Sequence, residues 1–500
     1  MRAHTFGGSS WSSLFQSSLY DYWGHHAHWS RPSGGCSPRD SQPIVTKAVT
    51  AESALAVTVF GGADAFGQDT TASADVSLQV VDRGLATFAI GGASFAAAAN
   101  GEPAFAAAYG GVAITGADLS IVSTKTATGT GGGSDGMAET TELSFVALDV
   151  KFDLGRQVQA EESASSEAGP ANIGTLQGNS AFFSAYAAAD GENGFVDVQA
   201  DAVAVEDAMS TAAVSATAAV SSEVAYTETV GSSRADRIST GPGNTLVFAG
   251  SGDDSVLAGA GNDWIFGGRG RDTVHGGSGS DTVLGEDGRD RLHGEEGADW
   301  LFSGEGDDTV SGGEGDDLLL GGDDDDTMNG GSGDDLLCGG EGRDRLDGGA
   351  GHDIFRLGAK RGDGNDVYSG GSGSDLFLLA AEFDRDVIQD FSIAQGDRLA
   401  ISGLDEVGAL GRCAFTMQRS SRDADDLVIT FDIFDGRSEL MLDEFFALNP
   451  GYGGMPRRGN FGDAQAGALL EAISTDADGR QDVQEAQLLL QLGDLLSLLG

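Results

Sequence analysis

Aspartate and glycine recur together through the middle of this 500-residue chain, in a pattern that could hold metal ions. Written in nines from Thr240, the sequence keeps one register to residue 356. Two further nonapeptides cover 361–378 after the four extra residues 357–360. Asp occupies the sixth position in fourteen of these fifteen repeats, and Thr245 is the exception. Carboxylate oxygens at a fixed spacing are ligands that hard divalent cations prefer.

The glycines of each repeat predict a tight turn around the aspartate. Segments 267–275 (GGRGRDTVH) and 312–320 (GGEGDDLLL) show Gly at positions one, two and four. Glycine adopts positive φ angles without a Cβ clash, so backbone carbonyl groups can converge on one point. We expect the sixth-position carboxylate to point into the same turn.

An apolar or aromatic residue fills the eighth position of all fifteen repeats, from Val247 to Phe377. This predicts a short strand over positions seven to nine with one inward side chain. Each repeat would then form half a coil, and stacked coils would pair strand on strand about 4.8 Å apart. The prediction is an all-β fold built on a parallel β-roll, since a Gly/Asp-rich disordered linker does not explain fifteen in-phase apolar residues.

The charge of the repeats also favours metal binding. The chain has 78 acidic residues against 28 Lys and Arg, a net charge of −50, and residues 240–378 hold 30 acids and 9 basic residues. Two carboxylates about 5 Å apart repel by roughly 3 kcal/mol at an effective dielectric constant of 20. About ten Ca²⁺ ions would roughly neutralise the array, and Ca²⁺ suits flexible oxygen cages better than Mg²⁺. A merely soluble or salt-adapted surface is the alternative, and the charge disfavours nucleic-acid and anionic membrane partners.

The pattern G-G-x-G-x-D-x-U-x resembles the RTX, or hemolysin-type, calcium-binding repeat. In that family Ca²⁺ lies between successive coils, held by loop carbonyls and by the sixth-position Asp. Carried over to this chain, the resemblance implies Ca²⁺ as the bound cofactor and the following ligands: Asp254, Asp263, Asp272, Asp281, Asp290, Asp299, Asp308, Asp317, Asp326, Asp335, Asp344, Asp353, Asp366 and Asp375.

Some turns depart from this pattern. Segments 285–287 and 294–296 lack the second Gly, and Asp324 stands where a Gly is expected, which puts that backbone turn in doubt. The insertion 357–360 is expected to interrupt the row of ions between Asp353 and Asp366.

The segments before the roll are harder to interpret. Residues 1–43 predict a flexible arm, in which His25, His26 and His28 offer a weak hypothesis of transition-metal binding. Residues 44–230 are rich in Ala, Ser and Gly and alternate apolar and polar residues in several stretches, which predicts strands. A sandwich, a loose solenoid and partial disorder remain open for this Ala/Gly-rich region.

We take the roll as residues 231–378. The segments after it predict a module that caps the roll and a C-terminal tail. Residues 379–449 form the predicted C-terminal β cap, because 386–391 (DVIQDF) and 396–401 (GDRLAI) resemble the segment that closes serralysin-like rolls. An exposed roll end would leave core and strand edges open. Residues 450–500 predict a linker and a short helical tail. The tail is similar to the C-terminal signal by which RTX proteins use a type I secretion apparatus, and an ordinary helical hairpin is the alternative.

The tail also contains an EF-hand-like spacing. Asp476, Asp478, Asp482 and Glu485 fall at loop positions three, five, nine and twelve, although position one is Ser474. A helix–turn–helix with an acidic turn is the alternative.

The rest of the sequence bears on compartment and activity. No export signal with a basic and then an apolar region is visible at the start, and no apolar run is long enough for a membrane span. Cys36, Cys338 and Cys413 suggest neither a disulfide framework nor a zinc site. No HExxH is present, and the G-x-S-x-G match at 132–136 lies in a Gly-rich tract, so we expect no enzyme.

We therefore expect a secreted, extracellular calcium-binding protein whose β-roll folds on Ca²⁺ after export. A cell-surface adhesin or matrix protein that uses residues 44–230 is the alternative. A secreted hydrolase with an unrecognised N-terminal catalytic domain is a further one.

Overall fold

The fold is described from a computed structural model of the protein. It describes residues 45–67, 69–83, 85–100, 104–129, 137–150, 161–166, 179–190, 193–205, 209–357, 364–379, 385–401, 414–420, 423, 425–432, 438–452, 469 and 473–476. Within these ranges no helix is long and apolar enough to cross a bilayer.

The described residues between 45 and 230 form an N-terminal lobe of long, mostly antiparallel strands. Strands β4, β1, β10 and β9 make one layer, and β7, β5, β6, β3, β2 and β8 make the second, in that order. Of the architectures left open by the sequence, the described residues therefore form a sandwich. The strand bounds are β1 (Val45–Phe66), β2 (Asp69–Asp82), β3 (Ala86–Asn100), β4 (Phe105–Thr115), β5 (Leu119–Gly129), β6 (Met137–Val150), β7 (Glu161–Ser166), β8 (Asn179–Asp190), β9 (Phe195–Val205) and β10 (Met209–Val230).

The core of the lobe is built largely from alanine and valine, with a few large rings placed over glycines. The Phe95 ring fills the space beside Gly61 and Gly110, where a Cβ would collide with it. Phe145 does the same over Gly91. Pairing a large ring with a glycine keeps the two sheets close while filling the interior.

The described residues between 237 and 379 form a parallel β-roll, which confirms that prediction. Its strands are β11 (Arg237–Ser239), β12 (Thr245–Ser251), β13 (Ser255–Ala260), β14 (Trp264–Gly270), β15 (Thr273–Ser278), β16 (Thr282–Gly288), β17 (Arg291–Glu296), β18 (Trp300–Glu305), β19 (Thr309–Glu314), β20 (Leu318–Asp323), β21 (Thr327–Ser332), β22 (Leu336–Glu341), β23 (Arg345–Ala350), β24 (Ile354–Leu357), β25 (Val367–Ser372) and β26 (Leu376–Leu379).

Successive strands alternate between two facing sheets, so each strand pairs with the strand two places on. Residues paired across neighbouring coils are 18 apart, as with Val256 and Val274. The eighth-position side chains point between the two sheets and form one continuous, almost fully buried core.

The even-numbered sheet of the roll has a second apolar face that points outward. Its side chains come from positions seven and nine, and they include Trp264, Phe266, Trp300 and Phe302. These side chains share one buried cluster with residues of β3 and β6. The lobe also continues the roll directly, because β10 pairs in parallel with β12 through Thr227 and Thr245.

After the roll, the chain extends both sheets. Strands β27 and β31 continue the odd-numbered sheet, followed by β30 and β29, while β28 and β32 continue the even-numbered sheet. The tail was predicted to be helical, but residues 474–476 form a strand beside β28, which offers them a free edge. The bounds are β27 (Arg385–Ile388), β28 (Arg398–Ile401), β29 (Ala414–Arg419), β30 (Leu427–Asp432), β31 (Ser438–Leu442), the helix α1 (Phe445–Leu448), a 3-10 turn (Pro450–Tyr452) and β32 (Ser474–Asp476).

Candidate calcium site

The turns of the roll carry the predicted ligands in two columns, one along each side of the coil. All fourteen predicted aspartates are buried, with at most 3% of their surface exposed. Column 1 contains Asp254, Asp272, Asp290, Asp308, Asp326, Asp344 and Asp366, and column 2 contains Asp263, Asp281, Asp299, Asp317, Asp335, Asp353 and Asp375.

Within each column, one carboxylate oxygen is used to join neighbouring coils. The backbone N–H of Asp299 donates to Asp317 Oδ1 at 2.7 Å, and the N–H of Asp317 donates to Asp335 Oδ1 at 2.9 Å. The same contact repeats along both columns, each time from one coil to the next. The stacked carboxylates therefore do not simply face one another, because each Oδ1 accepts from a backbone amide.

Three aspartates that sequence reasoning missed extend these columns. Asp236 Oδ2 accepts from Ser232 at the start of column 1, while Asp386 and Asp397 continue columns 1 and 2 past the repeats. Asp397 Oδ2 accepts from the Ser392 N–H at 2.7 Å. The signal was available: each of the three precedes an apolar residue by two positions, as in the repeats, but of the glycines at positions one, two and four only Gly231, before Asp236, is present.

Inside the columns, the second carboxylate oxygen, Oδ2, differs from Oδ1 in its hydrogen bonding. A buried Oδ2 has no hydrogen-bond partner in Asp254, Asp263, Asp272, Asp281, Asp290, Asp299, Asp308, Asp317, Asp326, Asp335, Asp353 and Asp375. Asp366 differs, because its Oδ2 accepts from the Tyr368 hydroxyl at 3.1 Å. A buried carboxylate oxygen without a donor is costly, so each of these positions calls for a cation or a proton.

Backbone carbonyls lie beside these oxygens. The space where Gly312 would carry a Cβ is flanked by Asp317 Oδ2 and by the Gly330 carbonyl oxygen of the next coil. Gly294 stands in the same relation to Asp299 Oδ2 and the Gly312 carbonyl oxygen. An oxygen-only set of carboxylate and carbonyl groups fits Ca²⁺. In the part of the chain that is described, no three His, Cys, Asp or Glu side chains converge on one point, so carbonyls would have to contribute to any such site.

The irregular turns keep the backbone of the regular ones. Glu286 and Glu295 replace the second Gly with φ angles of 73° and 81°, and Asp324 replaces the fourth-position Gly with φ of 80°. A residue with a side chain pays about 1–2 kcal/mol for this conformation. The turn doubted at Asp324 is thus formed, at the expense of backbone strain.

The insertion 357–360 does not break the aspartate ladder. The N–H of Asp344 donates to Asp366 Oδ1 at 2.9 Å, and the N–H of Asp353 donates to Asp375 Oδ1 at 3.1 Å. Strands β24 and β26 also stay paired across it. Residues 358–363 lie outside the described part of the chain, so the expected gap in the ion row stays a prediction for that turn.

The electrostatics of the columns follow from burial. Burial raises the pKa of Asp281, Asp317 and Asp353 to about 8, and neighbouring aspartates of the same column add to the increase. The pKa of Asp326 rises to about 9 for the same reasons. Asp299 rises only to about 6, where its backbone hydrogen bond and the positive charge of Arg83 oppose the burial. Without a cation, several of these carboxyl groups would therefore hold protons at neutral pH.

Other predicted residues remain outside this arrangement. The EF-hand-like set is not brought together in the described residues: Asp476 lies in β32, while Asp478, Asp482 and Glu485 fall outside them. The arm 1–43 with its histidines, and the G-x-S-x-G match at 132–136, also lie outside. These hypotheses stay predictions.

Comparison with known proteins agrees with the geometry of the turns. A family model described as "RTX calcium-binding nonapeptide repeat (4 copies)" matches eight windows between residues 230 and 377: 230–265, 239–274, 248–283, 275–310, 284–319, 302–337, 339–359 and 362–377. No curated protein matches the chain.

A solved structure similar to part of the chain is the solution structure of the AlgE6R3 subunit from the Azotobacter vinelandii mannuronan C5-epimerase. The two share 30% sequence identity over 33% of this chain and 84% of that one, with a TM-score of 0.22.

Proposed function

We propose that this protein, whose residues 230–377 are RTX calcium-binding nonapeptide repeats, leaves the cell unfolded and folds its roll outside on binding Ca²⁺. The observation that carries the proposal is the set of buried Oδ2 oxygens without a hydrogen-bond partner in the two columns. Two of the column ends support it by contrast, because Asp236 and Asp397 have their Oδ2 oxygens satisfied by serine groups.

The residues that would hold Ca²⁺ are the column aspartates, through Oδ2, and the carbonyl groups of the turn glycines. A bound Ca²⁺ ion would supply positive charge between coils, where like-charged carboxylates are buried. The chain's own contribution is to hold these oxygens in place through the Oδ1 ladder, as between Asp299 and Asp317.

The calcium level of the compartment would set the state of the roll. Sites of this kind belong to the extracellular affinity range, about 10⁻⁴–10⁻³ M, far above cytosolic Ca²⁺. At a tenfold excess over Kd, each site adds about 1.4 kcal/mol to stability. Several sites together exceed the stability of an ordinary domain. A chain kept unfolded inside the cell would suit a type I secretion apparatus.

A Ca²⁺ titration of the full chain tests this proposal. We expect the far-UV circular dichroism of the chelator-treated protein to lack much of its strand signal, and millimolar Ca²⁺ to restore it cooperatively. Mg²⁺ at equal concentration is the control, and it should be far less effective. A complete strand signal in chelator at neutral pH would defeat calcium-dependent folding, and an absence of calcium uptake at millimolar levels would defeat the site itself.

A second candidate is that the N-terminal lobe contacts a surface or matrix. Phe60, Phe66, Phe105 and Tyr109 lie on one outward face of β1 and β4, each with 43–52% of its surface exposed. Exposed aromatic groups on one face mark interaction sites. Cell fractionation of wild type and of a Phe66→Ser, Tyr109→Ser variant would test this role. Equal surface retention of the two would count against it.

No catalytic role is proposed. The protein would act by binding, with no reaction assigned to the lobe.

A further inference from the structure

Two histidines lie side by side on the outer face of the odd-numbered sheet. His275 of β15 and His293 of β17 end neighbouring coils and are paired in register. Their ring centroids are 4.8 Å apart and the ring planes differ by 17°. The stacked rings point their nitrogen lone pairs in parallel, so they would have to rotate out of the stack to share one ion. The rigid parallel strands keep the two residues within reach of each other for this.

A carboxylate orients one of these rings. His275 Nδ1 lies 2.8 Å from Glu295 Oε1, and the side chains of the two residues are 33% and 50% exposed. A carboxylate at Nδ1 favours a proton there, which leaves the lone pair of Nε2 available outward. Glu295 has a φ angle of 81° at the second position of its repeat. In the described turns, Gly occupies this position in all repeats except those of Glu286 and Glu295, so the Glu295 side chain is present despite a backbone cost.

Charge also bears on metal binding at this pair. A neutral imidazole is the form that binds metal ions. The positive charge of Arg291 on the same face weakens binding of any cation here, so the site should be of moderate affinity.

We propose that His275 and His293 form a two-nitrogen chelate for a borderline divalent transition metal, with Glu295 as the outer partner of His275. Imidazole ligands suit Cu²⁺ and Zn²⁺, with Cu²⁺ bound more tightly, whereas Ca²⁺ prefers oxygen ligands. Only two imidazoles would bind the ion, in agreement with the absence of any three-ligand group in the described residues, and water would complete the coordination. The site is thus chemically distinct from the calcium columns and does not depend on the proposed function.

The test uses the full chain in saturating Ca²⁺ with His4, His25, His26 and His28 replaced by Ala, because those histidines would compete for the probe. Cu²⁺ binding is followed by titration and by nitrogen hyperfine structure in the electron paramagnetic resonance spectrum. Zn²⁺ is titrated in parallel. We expect one Cu²⁺ bound through two nitrogens, and weaker binding of one Zn²⁺.

Variants of the pair decide the assignment. His275→Ala and His293→Ala should each raise the Kd for Cu²⁺ at least about 100-fold, and Glu295→Gln about tenfold, as for an outer-shell partner. His352→Ala, in a turn of the same roll, is the matched control. It should bind Cu²⁺ with the same Kd as the parent protein that carries only the four N-terminal substitutions. Unchanged Cu²⁺ binding in both single variants, or an equal loss in the control, would overturn the proposal.

Folding is checked separately in every variant by the far-UV circular dichroism spectrum in saturating Ca²⁺, compared with that of the parent protein. If an Ala variant loses the strand signal, the His275→Asn and His293→Asn variants keep the polar surface and carry the same expectation. A parent-like spectrum with lost Cu²⁺ binding supports the chelate, whatever the fate of the calcium hypothesis.

Discussion

The guanidinium of Arg83 lies over the indole ring of Trp300, with its central carbon 4.1 Å from the ring centroid. Arg83 Nη1 also donates to the Ala298 carbonyl oxygen at 2.8 Å. The side chain therefore joins the N-terminal lobe to a turn of column 2. Its positive charge also opposes the rise in pKa of Asp299 and Asp317.

The first prediction concerns this contact. Arg83→Ala should lower the free energy of unfolding in saturating Ca²⁺ by about 1–3 kcal/mol, since it removes a partly buried cation–π contact and a hydrogen bond. Thermal or denaturant unfolding measures the change. Arg237→Ala, at an exposed position of β11, is the control and should change stability by less than about 0.5 kcal/mol. Equal effects of the two would show that the lobe is not held by Arg83.

The second prediction concerns the ligands. The double variant Asp317→Asn, Asp335→Asn should bind fewer Ca²⁺ ions and need more Ca²⁺ for half-maximal folding, because two Oδ2 carboxylate oxygens lose their charge. At a tenfold excess over Kd the loss is about 1.4 kcal/mol for each site removed. Isothermal titration and metal analysis give the stoichiometry.

The control for that experiment is the neighbouring pair. Asp316→Asn, Asp334→Asn removes the same charge from exposed positions one residue away. It should leave the number of bound ions unchanged. A similar loss in both double variants would mean that overall charge, rather than the buried columns, governs uptake.

The third prediction concerns pH without metal. Folding raises the pKa of several column aspartates from the usual value of about 4, for example to about 6 for Asp263 and to about 9 for Asp326. The folded state then binds more protons than the unfolded state. The contribution of these protons to the free energy of unfolding is complete below pH 4 and is lost as the pH rises through 6 to 9. In metal-free buffer, the strand signal and the melting temperature should therefore be higher at pH 5 than at pH 8.

Calcium should remove this dependence, because the cation takes the place of the protons. Binding at pH 7 should accordingly release protons, which a weakly buffered titration with a pH indicator detects. A metal-free protein that is more stable at pH 8 than at pH 5 would contradict the raised pKa values.

The fourth prediction concerns backbone strain. Asp324→Gly should stabilise the Ca²⁺-bound roll by about 1 kcal/mol, because glycine adopts the φ of 80° without a Cβ clash. It also removes a negative charge that raises the pKa of Asp326. Asp325→Gly is the control, since Asp325 has no such backbone angle and its Oδ1 accepts from the Arg343 N–H. That change should be neutral or destabilising, and a reversed order would exclude strain at Asp324.

The roll could be predicted from the sequence because each of its parts is local. The spacing from Asp254 to Asp272 predicts the number of residues in one coil, and the glycines predict the positions at which the backbone turns. What the pattern did not reveal was the partner of each oxygen. That Oδ1 bonds the amide of the preceding coil depends on the stacking geometry, which no single repeat contains.

The outward apolar face was missed for a similar reason. The nine-residue alignment averages the strands of both sheets, so Trp264 and Trp300 are compared with polar residues such as Thr273. Read with an 18-residue period, alternate repeats separate into apolar and polar outer faces. The packing of the N-terminal lobe on this face could not be predicted from the sequence, because nothing in its alanine-rich strands indicates which surface they contact.

The Oδ1 ladder gives the array a direction. Every coil lends an acceptor to the amide of the coil before it, and Asp386 and Asp397, which follow the last repeats, do this for the final pair. The hydrogen bonds at the two ends of the array therefore do not depend on the number of coils between them. Gene duplication could add or delete blocks of 18 residues and change the ionic capacity of the molecule while both of its ends stay intact.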